Sequence, residues 1–529
     1  MTIRTFRLTL TFAALFLFAA SAAADTRYKA DQTESPSAEA ADNTFNTEWV
    51  LPPDQRSQTR HVLKVGDAEI PYVATAGALP VRITSDGPEC RIFFISYASE
   101  SEGDQRSRPL TFVFNGGPGA SSAYLHLAAL GPRRVAFEDD GDLPDPPGRL
   151  VDNDHTWFKF SDLVFVDPVG TGYSRCTRSD QQKKEDTDAK AWGVHEDLDA
   201  LGEFIRLYLT RNNRWLAPKF LMGESYGGFR VAALSALLQS DYGISANGLV
   251  LVSPALEFGL LSGDEYSLLP WVVTIPSYAA TARYHDKASG KISKAQEIRA
   301  ALEKVERFGV QELLPALAEG DTAALYGRLA SFIGLPEPQV ARLRARVPPR
   351  LYVKELLQDE RRLISLYDGS WTAIDPKPSS PLPPEEDPLL LRINALLTAA
   401  LNSYMRMELQ FETDIPYIVL NEEVSKKWNW RSGLESGQGF IGVAGNLKKS
   451  MSINKDLKVL MAHGVFDLVT PYFGSEIVAK QMSLDPAVSA NLTLKVYEGG
   501  HMFYTHTAAR LHFFEDAGSF FRSAWHSDR

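Results

Sequence analysis

Lys219-Phe220-Leu221-Met222-Gly223-Glu224-Ser225-Tyr226-Gly227-Gly228 is the stretch whose reading decides the fold. Its apolar start reads as a buried strand. The run that follows, Val231-Ala232-Ala233-Leu234-Ser235-Ala236-Leu237-Leu238, reads as a helix packed on a sheet. A Gly-x-Ser-x-Gly between strand and helix makes a turn so tight that only Gly fits on either side of the Ser. The hydroxyl is lifted above the sheet, over the N-terminus of the helix. The remainder of the chain must then supply an acid and a base.

Working outward, continuous apolar runs flank this turn. Leu110-Thr111-Phe112-Val113-Phe114 ends at a Gly-rich turn, Leu163 to Val166 ends at Asp167-Pro168, and Leu249 to Val252 ends at Ser253-Pro254. Such runs suit strands buried on both faces of a mostly parallel sheet, where chemistry gathers at the C-terminal strand ends. The pattern resumes at Lys458 to Met461 and at Leu492 to Val496. Upstream, His61 to Val65 and Ile70 to Ala74 flank Gly66-Asp67, a hairpin signal.

Asp467 follows one of the late strands, in His463-Gly464-Val465-Phe466-Asp467, and His501 follows the other, in Gly499-Gly500-His501-Met502. The chain order Ser225, Asp467, His501 is that of an α/β-hydrolase triad. Imidazole takes the Ser proton and returns it to a leaving group, while the carboxylate fixes the imidazole tautomer. His463 is read as part of the acid loop, and His506 and His512 as part of the helix after the base. Asn115-Gly116-Gly117-Pro118-Gly119 can turn backbone N–H groups toward a developing oxyanion, and Gly117 and Tyr226 are the expected donors. The rival reading of that turn, a phosphate loop, lacks the Lys and the Ser/Thr pair of a Walker motif.

The expected architecture is therefore α/β: a mostly parallel central sheet, helices on both faces, and a helical cap insertion. The expected division is a signal peptide at 1–24 and a polar leader at 25–50. A first core segment at 51–258, the cap at 259–440 and a second core segment at 441–529 follow. The cap boundary rests on a change of texture. Ile298, Leu302 and Val305 have helical spacing, Leu389 to Met405 reads as a long apolar helix, and Asp375 to Asp387 is a Pro-rich loop.

The bulk properties agree. The 529 residues are 44% apolar, enough for a large core, and the net charge of -11 carries no basic stripe for nucleic acid. Arg4 and Arg7 precede an apolar run from Leu8 to Ala20, and Ala22-Ala23-Ala24 offers a cleavage site. A membrane anchor is the alternative, but the run is short for a bilayer. Export to the periplasm or medium is the expectation, with no other membrane span. The two cysteines, Cys90 and Cys176, either pair or stay as thiols; export permits a disulfide. They cannot hold a four-ligand zinc alone, and no metal or cofactor is called for.

With these residues in hand, the chain resembles the serine carboxypeptidase family. The matching blocks are Asn115-Gly116-Gly117-Pro118-Gly119-Ala120-Ser121-Ser122, Leu130-Gly131-Pro132 and Asn153-Asp154-His155-Thr156-Trp157. Then come Val166-Asp167-Pro168-Val169-Gly170-Thr171-Gly172-Tyr173-Ser174, Gly223 to Gly228, and Gly500-His501-Met502. The resemblance implies removal of C-terminal residues from peptides through an acyl-enzyme. It also implies that Asn115, Gly116 and Glu224 bind the terminal carboxylate. A carboxyl group can hydrogen-bond a carboxylate only while it keeps a proton, and members often share that proton between two carboxyls.

The chain departs from the pattern in several places. Members often carry Trp, Cys and Glu where this chain has Val113, Ala120 and Ala129, so Glu224 lacks its usual carboxyl neighbour. Val465 stands where a second Asp is frequent. An esterase, amidase or acyltransferase would use the same triad, and a noncatalytic binding protein could keep the scaffold. The sequence does not reveal the preferred terminal residue or the oligomeric state.

Overall fold

The computed structural model describes residues 50–52, 55–65, 68–83, 88–100, 107–177, 188–261, 265–288, 295–431 and 441–525. The expected signal peptide, nearly all of the leader and the Gly66-Asp67 turn lie outside the described residues.

The central sheet follows the apolar runs. Its strands are β1 (Arg56–Val65), β2 (Ala68–Arg82), β3 (Glu89–Ser99), β4 (Leu110–Phe114) and β5 (Asp162–Val166). They continue with β6 (Lys219–Glu224), β7 (Gly248–Val252), β8 (Lys458–Gly464) and β9 (Leu492–Tyr497). The spatial order is β1-β2-β3-β5-β4-β6-β7-β8-β9. The first three strands and the β3–β5 pair are antiparallel, and every pair from β5 to β9 is parallel.

Side chains alternate across the sheet, as a strand's two-residue period requires. Leu163 and Phe165 enter one apolar cluster, and Val164 and Val166 enter the other. All five residues of β4, β5 and β7 are buried, which explains why these strands read as unbroken apolar runs. Helices cover both faces. α1 (Val194–Arg211) and α2 (Tyr226–Asp241) contribute to the second cluster. The C-terminal helix Thr507–Ala524 contributes to the first. Cys176 pairs with Cys90 of β3 across a two-residue bridge, and the two are joined by a disulfide.

The described part of 259–440 is largely helical and divides among three neighbourhoods, with Val424 and Trp428 in the second core cluster. Tyr278 of helix Ile275–Tyr284, Leu302 and Val305 of helix Ala295–Phe308, and Ile333 of helix Tyr326–Ile333 form a third cluster. That cluster includes Val465, Phe466 and Leu468, so these helices roof the acid loop. Helix Pro388–Met407 instead places Ile393, Leu397 and Leu401 in the first core cluster. Asp387 caps it, accepting from the N–H groups of Leu389 and Leu390.

Candidate active site

Ser225 is the left-handed hinge between β6 and α2, with φ 60° and ψ −123°. The glycines around it are steric necessities. A Cβ on Gly223 would lie 2.0 Å from Gly227 O, and one on Gly227 would lie 2.5 Å from Phe114 O. Backbone bonds hold the turn: Ser225 N donates to Val252 O at 2.9 Å, and Ser225 O accepts from Gly228 N and Ala255 N. Glu224 and Tyr226 are buried, whereas Ser225 keeps partial solvent access, as an attacking group needs.

His501 and Asp467 meet in a buried pair. Nδ1 of His501 lies 2.8 Å from Asp467 Oδ2. Asp467 Oδ1 accepts from the backbone N–H groups of Val469 and Thr470, and Oδ2 accepts from Thr470 Oγ1 at 2.7 Å. Burial alone would raise the Asp467 carboxyl. The His501 charge and these hydrogen bonds outweigh it and hold the group below its ordinary value. For His501, burial would lower the imidazole, but the Asp467 charge and hydrogen bond raise it. The imidazole is thus oriented and made more basic by its partner.

The base loop is tied down from three sides. Ser253 Oγ, just past β7, donates to His501 O at 2.9 Å. His501 N donates to Tyr367 O at 2.5 Å, and the Tyr367 ring stands edge-on to the imidazole with centroids 5.6 Å apart. Asp368 Oδ2 accepts from Gly500 N at 3.0 Å and lies 3.1 Å from His506 Nε2.

The Asn115–Gly119 turn packs against the elbow. A Cβ on Gly116 would lie 2.6 Å from both Tyr226 N and Glu224 O. This brings Gly117 and Tyr226, the expected oxyanion donors, onto adjoining backbone. Asn115 Oδ1 accepts from Leu125 N at 3.1 Å, and its side chain is close enough to Glu224 to lower that carboxyl. The Glu224 carboxyl is pushed up to about 7, first by burial and also by the Asp467 charge. The His501 charge, the Tyr504 hydrogen bond and the neighbouring Asn115 pull the other way. Ala129, where a carboxyl neighbour was expected to be missing, is buried and apolar.

Two histidines sit elsewhere than expected. His463 is not on the acid loop but inside β8, fully buried, and burial pushes it down to about 4. His506 precedes the C-terminal helix rather than lying on it. His512 is on that helix and exposed.

Sequence reasoning passed over several members of the site. Tyr504 Oη donates to Glu224 Oε2. Arg230, buried on α2, donates to the carbonyls of Asn115 and Gly116 and pairs with Asp197 at 2.6 Å. An Arg inside an otherwise small and apolar helix was the available signal for the second. For Thr470 the signal was its place three residues after Asp467, the spacing of a side-chain turn. The other family-like blocks are scaffold. Asn153 Nδ2 donates to Ala129 O and Gly131 O. Buried Asp167 accepts from Ser122 N, Ser122 Oγ and Tyr417 Oη.

Known proteins are similar to this chain in part of its sequence and in its fold. The family profile described as serine carboxypeptidase matches residues 81–255. Serine carboxypeptidase-like 5 of Arabidopsis thaliana is 29% identical over 197 residues, 35% of this chain and 42% of that protein. The pheromone-processing carboxypeptidase KEX1 of Yarrowia lipolytica is 32% identical over 178 residues, 30% of this chain and 26% of that protein. The chain thus spans less than half the length of these curated relatives. A crystal structure of a prohormone-processing carboxypeptidase from Saccharomyces cerevisiae superimposes with TM-score 0.53 and 16% identity, covering 85% of this chain and 91% of that one. At that identity the likeness establishes the fold. Over residues 81–255 this chain is thus similar to the serine carboxypeptidase family, and its sheet order and the elbow at Ser225 are those of an α/β-hydrolase fold.

Proposed function

We propose that this chain is a serine carboxypeptidase that removes C-terminal residues from peptides. Ser225 attacks the last peptide carbonyl while His501 takes its proton, and the N–H groups of Gly117 and Tyr226 receive the oxyanion. His501 then protonates the leaving amine, which departs as the free terminal amino acid. Water, deprotonated by the same imidazole, cleaves the acyl-enzyme. Asp467 stabilises the imidazolium in both halves.

One observation carries the exopeptidase reading over an esterase or acyltransferase. A buried Glu224, raised to about 7 and neighboured by Asn115, immediately precedes the nucleophile. A neutral carboxyl beside an amide donor, with Gly116 alongside, can hold a carboxylate without charge repulsion. We read residues 259–440 as the cap over the two core segments, and the chain as exported. The Cys90–Cys176 disulfide and the apolar run from Leu8 to Ala20 support that reading. No helix among the described residues is long and apolar enough to cross a membrane.

The test is mass spectrometry of defined peptides after incubation, each with a free and an amidated C-terminus. Ladders from the free C-terminus are the expected result. Cleavage of simple esters, with free peptides untouched, would favour an esterase.

A further inference from the structure

A carboxyl that reads a carboxylate must keep its proton, and in this chain the site that would share it, Ala129, offers no acid. The structure gives Glu224 a different partner, one that orients the proton rather than helps to retain it. Tyr504 lies three residues past the base, on the single turn Phe503–Thr505, and is fully buried. Its Oη donates to Glu224 Oε2. Burial and the nearby Glu224 charge hold the phenol well above its ordinary value, so it stays a neutral donor wherever the enzyme works. An oxygen that accepts a fixed O–H serves as the carbonyl end of a neutral carboxyl. The acid proton is then left on Oε1.

We propose that Tyr504 is a specificity-determining residue for the free C-terminus. Its hydroxyl, bonded to Glu224 Oε2, stands in for a partner carboxyl and leaves the Glu224 proton directed at the substrate's terminal carboxylate. This rests on the carboxypeptidase reading.

A phenol in place of a second carboxyl leaves only one ionisation to govern recognition. The groups facing Glu224 are His501, whose charge lowers its pKa, Asp467, whose charge raises it, and the phenols of Tyr504, Tyr124 and Tyr367. The three phenols are all held above their ordinary value. Peptide and amide both need neutral His501, so the ratio of their kcat/KM values cancels its titration and reports Glu224.

In the parent, this ratio falls with one-proton slope as pH rises through about 7. Tyr504→Phe keeps the ring and loses the donor. A hydrogen bond favours the ionised carboxylate over the neutral acid, so its loss raises the Glu224 pKa. The midpoint should move up by about half to one pH unit, while the ratio at acidic pH falls by roughly three- to tenfold as the proton loses its fixed direction. In a Glu224→Gln background, Tyr504→Phe should move no midpoint. Site-specific 3-fluorotyrosine at position 504, a stronger donor of nearly the same shape, should move the midpoint down and covers the case in which Tyr504→Phe does not fold.

A two-proton slope in the parent, an unmoved midpoint, or equal losses on peptide and amide would overturn the proposal and leave Tyr504 a packing residue. A parent with no preference for the free C-terminus would overturn the carboxypeptidase reading itself.

Discussion

Arg230 Nη1 donates to Asn115 O at 2.6 Å, so the helix that starts after Ser225 also holds the turn that faces it. The same guanidinium pairs with buried Asp197 and lies over the Tyr226 ring, 4.8 Å from its centroid. Burial raises the Asp197 carboxyl, and Arg230 opposes that shift. Arg230→Met leaves the carboxylate uncompensated, which should cost about 3–5 kcal/mol. Without Arg230 the folded-state pKa of Asp197 rises further above its unfolded value. The deficit should therefore be small at pH 4 and grow toward pH 7, measured as the urea midpoint against the parent. A deficit independent of pH would show that packing, not charge, sets the cost.

In the proposed mechanism Ser225, His501 and Asp467 act as one unit, so their single variants should not add. Ser225→Ala and His501→Ala should each lower kcat by on the order of a million-fold, and Asp467→Asn somewhat less. Ser225→Ala should also abolish labelling by a fluorophosphonate. His463→Ala should behave differently. Its side chain is fully buried in β8, so the variant should lose stability yet keep labelling at low temperature. Near-parental turnover in purified Ser225→Ala would exclude it as the nucleophile.

How far the sequence carried the reading can be judged residue by residue. Strands β4 to β8 announced themselves because burial on both faces leaves little polar alternation, whereas the edge strand β9 alternates, with Thr493 and Lys495 exposed. Ser225 and Asp467 were visible because each follows a buried strand, and His501 because it follows the alternating β9. Tyr504 and Arg230 were not, because their partners Glu224 and Asn115 lie 280 and 115 positions away. No local pattern encodes a contact made only by the assembled sheet. His463 was misplaced because the sequence hides where a strand stops. β8 runs through Gly464 and draws that imidazole into the core. Helix Pro388–Met407 was legible as a helix, whereas its packing onto the first core cluster depends on which face the sheet leaves open.

The Cys90–Cys176 disulfide closes a loop with a sequence separation of 86. A loop of that length should make the disulfide worth about 2–5 kcal/mol through restriction of the unfolded chain. Replacing both cysteines by Ser should lower the urea midpoint accordingly, and a reductant should do the same to the parent but not to the variant. An unchanged midpoint in the double variant would mean that the bond adds nothing to stability.

His506 offers a stability switch outside the triad. Burial would lower its imidazole, but the Asp368 hydrogen bond and charge, with Glu498 and Asp140, hold it above the ordinary value. A group raised on folding contributes stability that is complete below its unfolded pKa, near 6.5, and is lost as pH rises through the folded value. The gap in thermal midpoint between parent and His506→Gln should thus be widest at pH 5 to 6 and narrow at alkaline pH. A gap that widens on the alkaline side would refute the assignment of charge to this pair.

Asn115 and Glu224 should govern recognition of the terminal carboxylate rather than the chemical step. Asn115→Ala removes an amide donor, and the lost charge-assisted bond should cost roughly 1.5–3 kcal/mol, about tenfold to a hundredfold in kcat/KM for a free peptide. The amidated peptide should lose less. Glu224→Gln keeps a donor at every pH, so its activity on free peptides should persist above about 7, where the parent carboxyl ionises. Stability provides an independent check with its own sign. Glu224 is raised from an ordinary 4.5 to about 7 by burial, so its ionisation in the folded state is penalised. The parent should lose stability relative to Glu224→Gln as pH climbs from about 4.5 to about 7 and hold a constant difference beyond. Parallel pH profiles of activity on the free peptide and its amide, in parent and both variants, decide the matter. Equal losses on the two substrates, with the alkaline limb unmoved in Glu224→Gln, would assign these side chains to holding the elbow and not to reading the C-terminus.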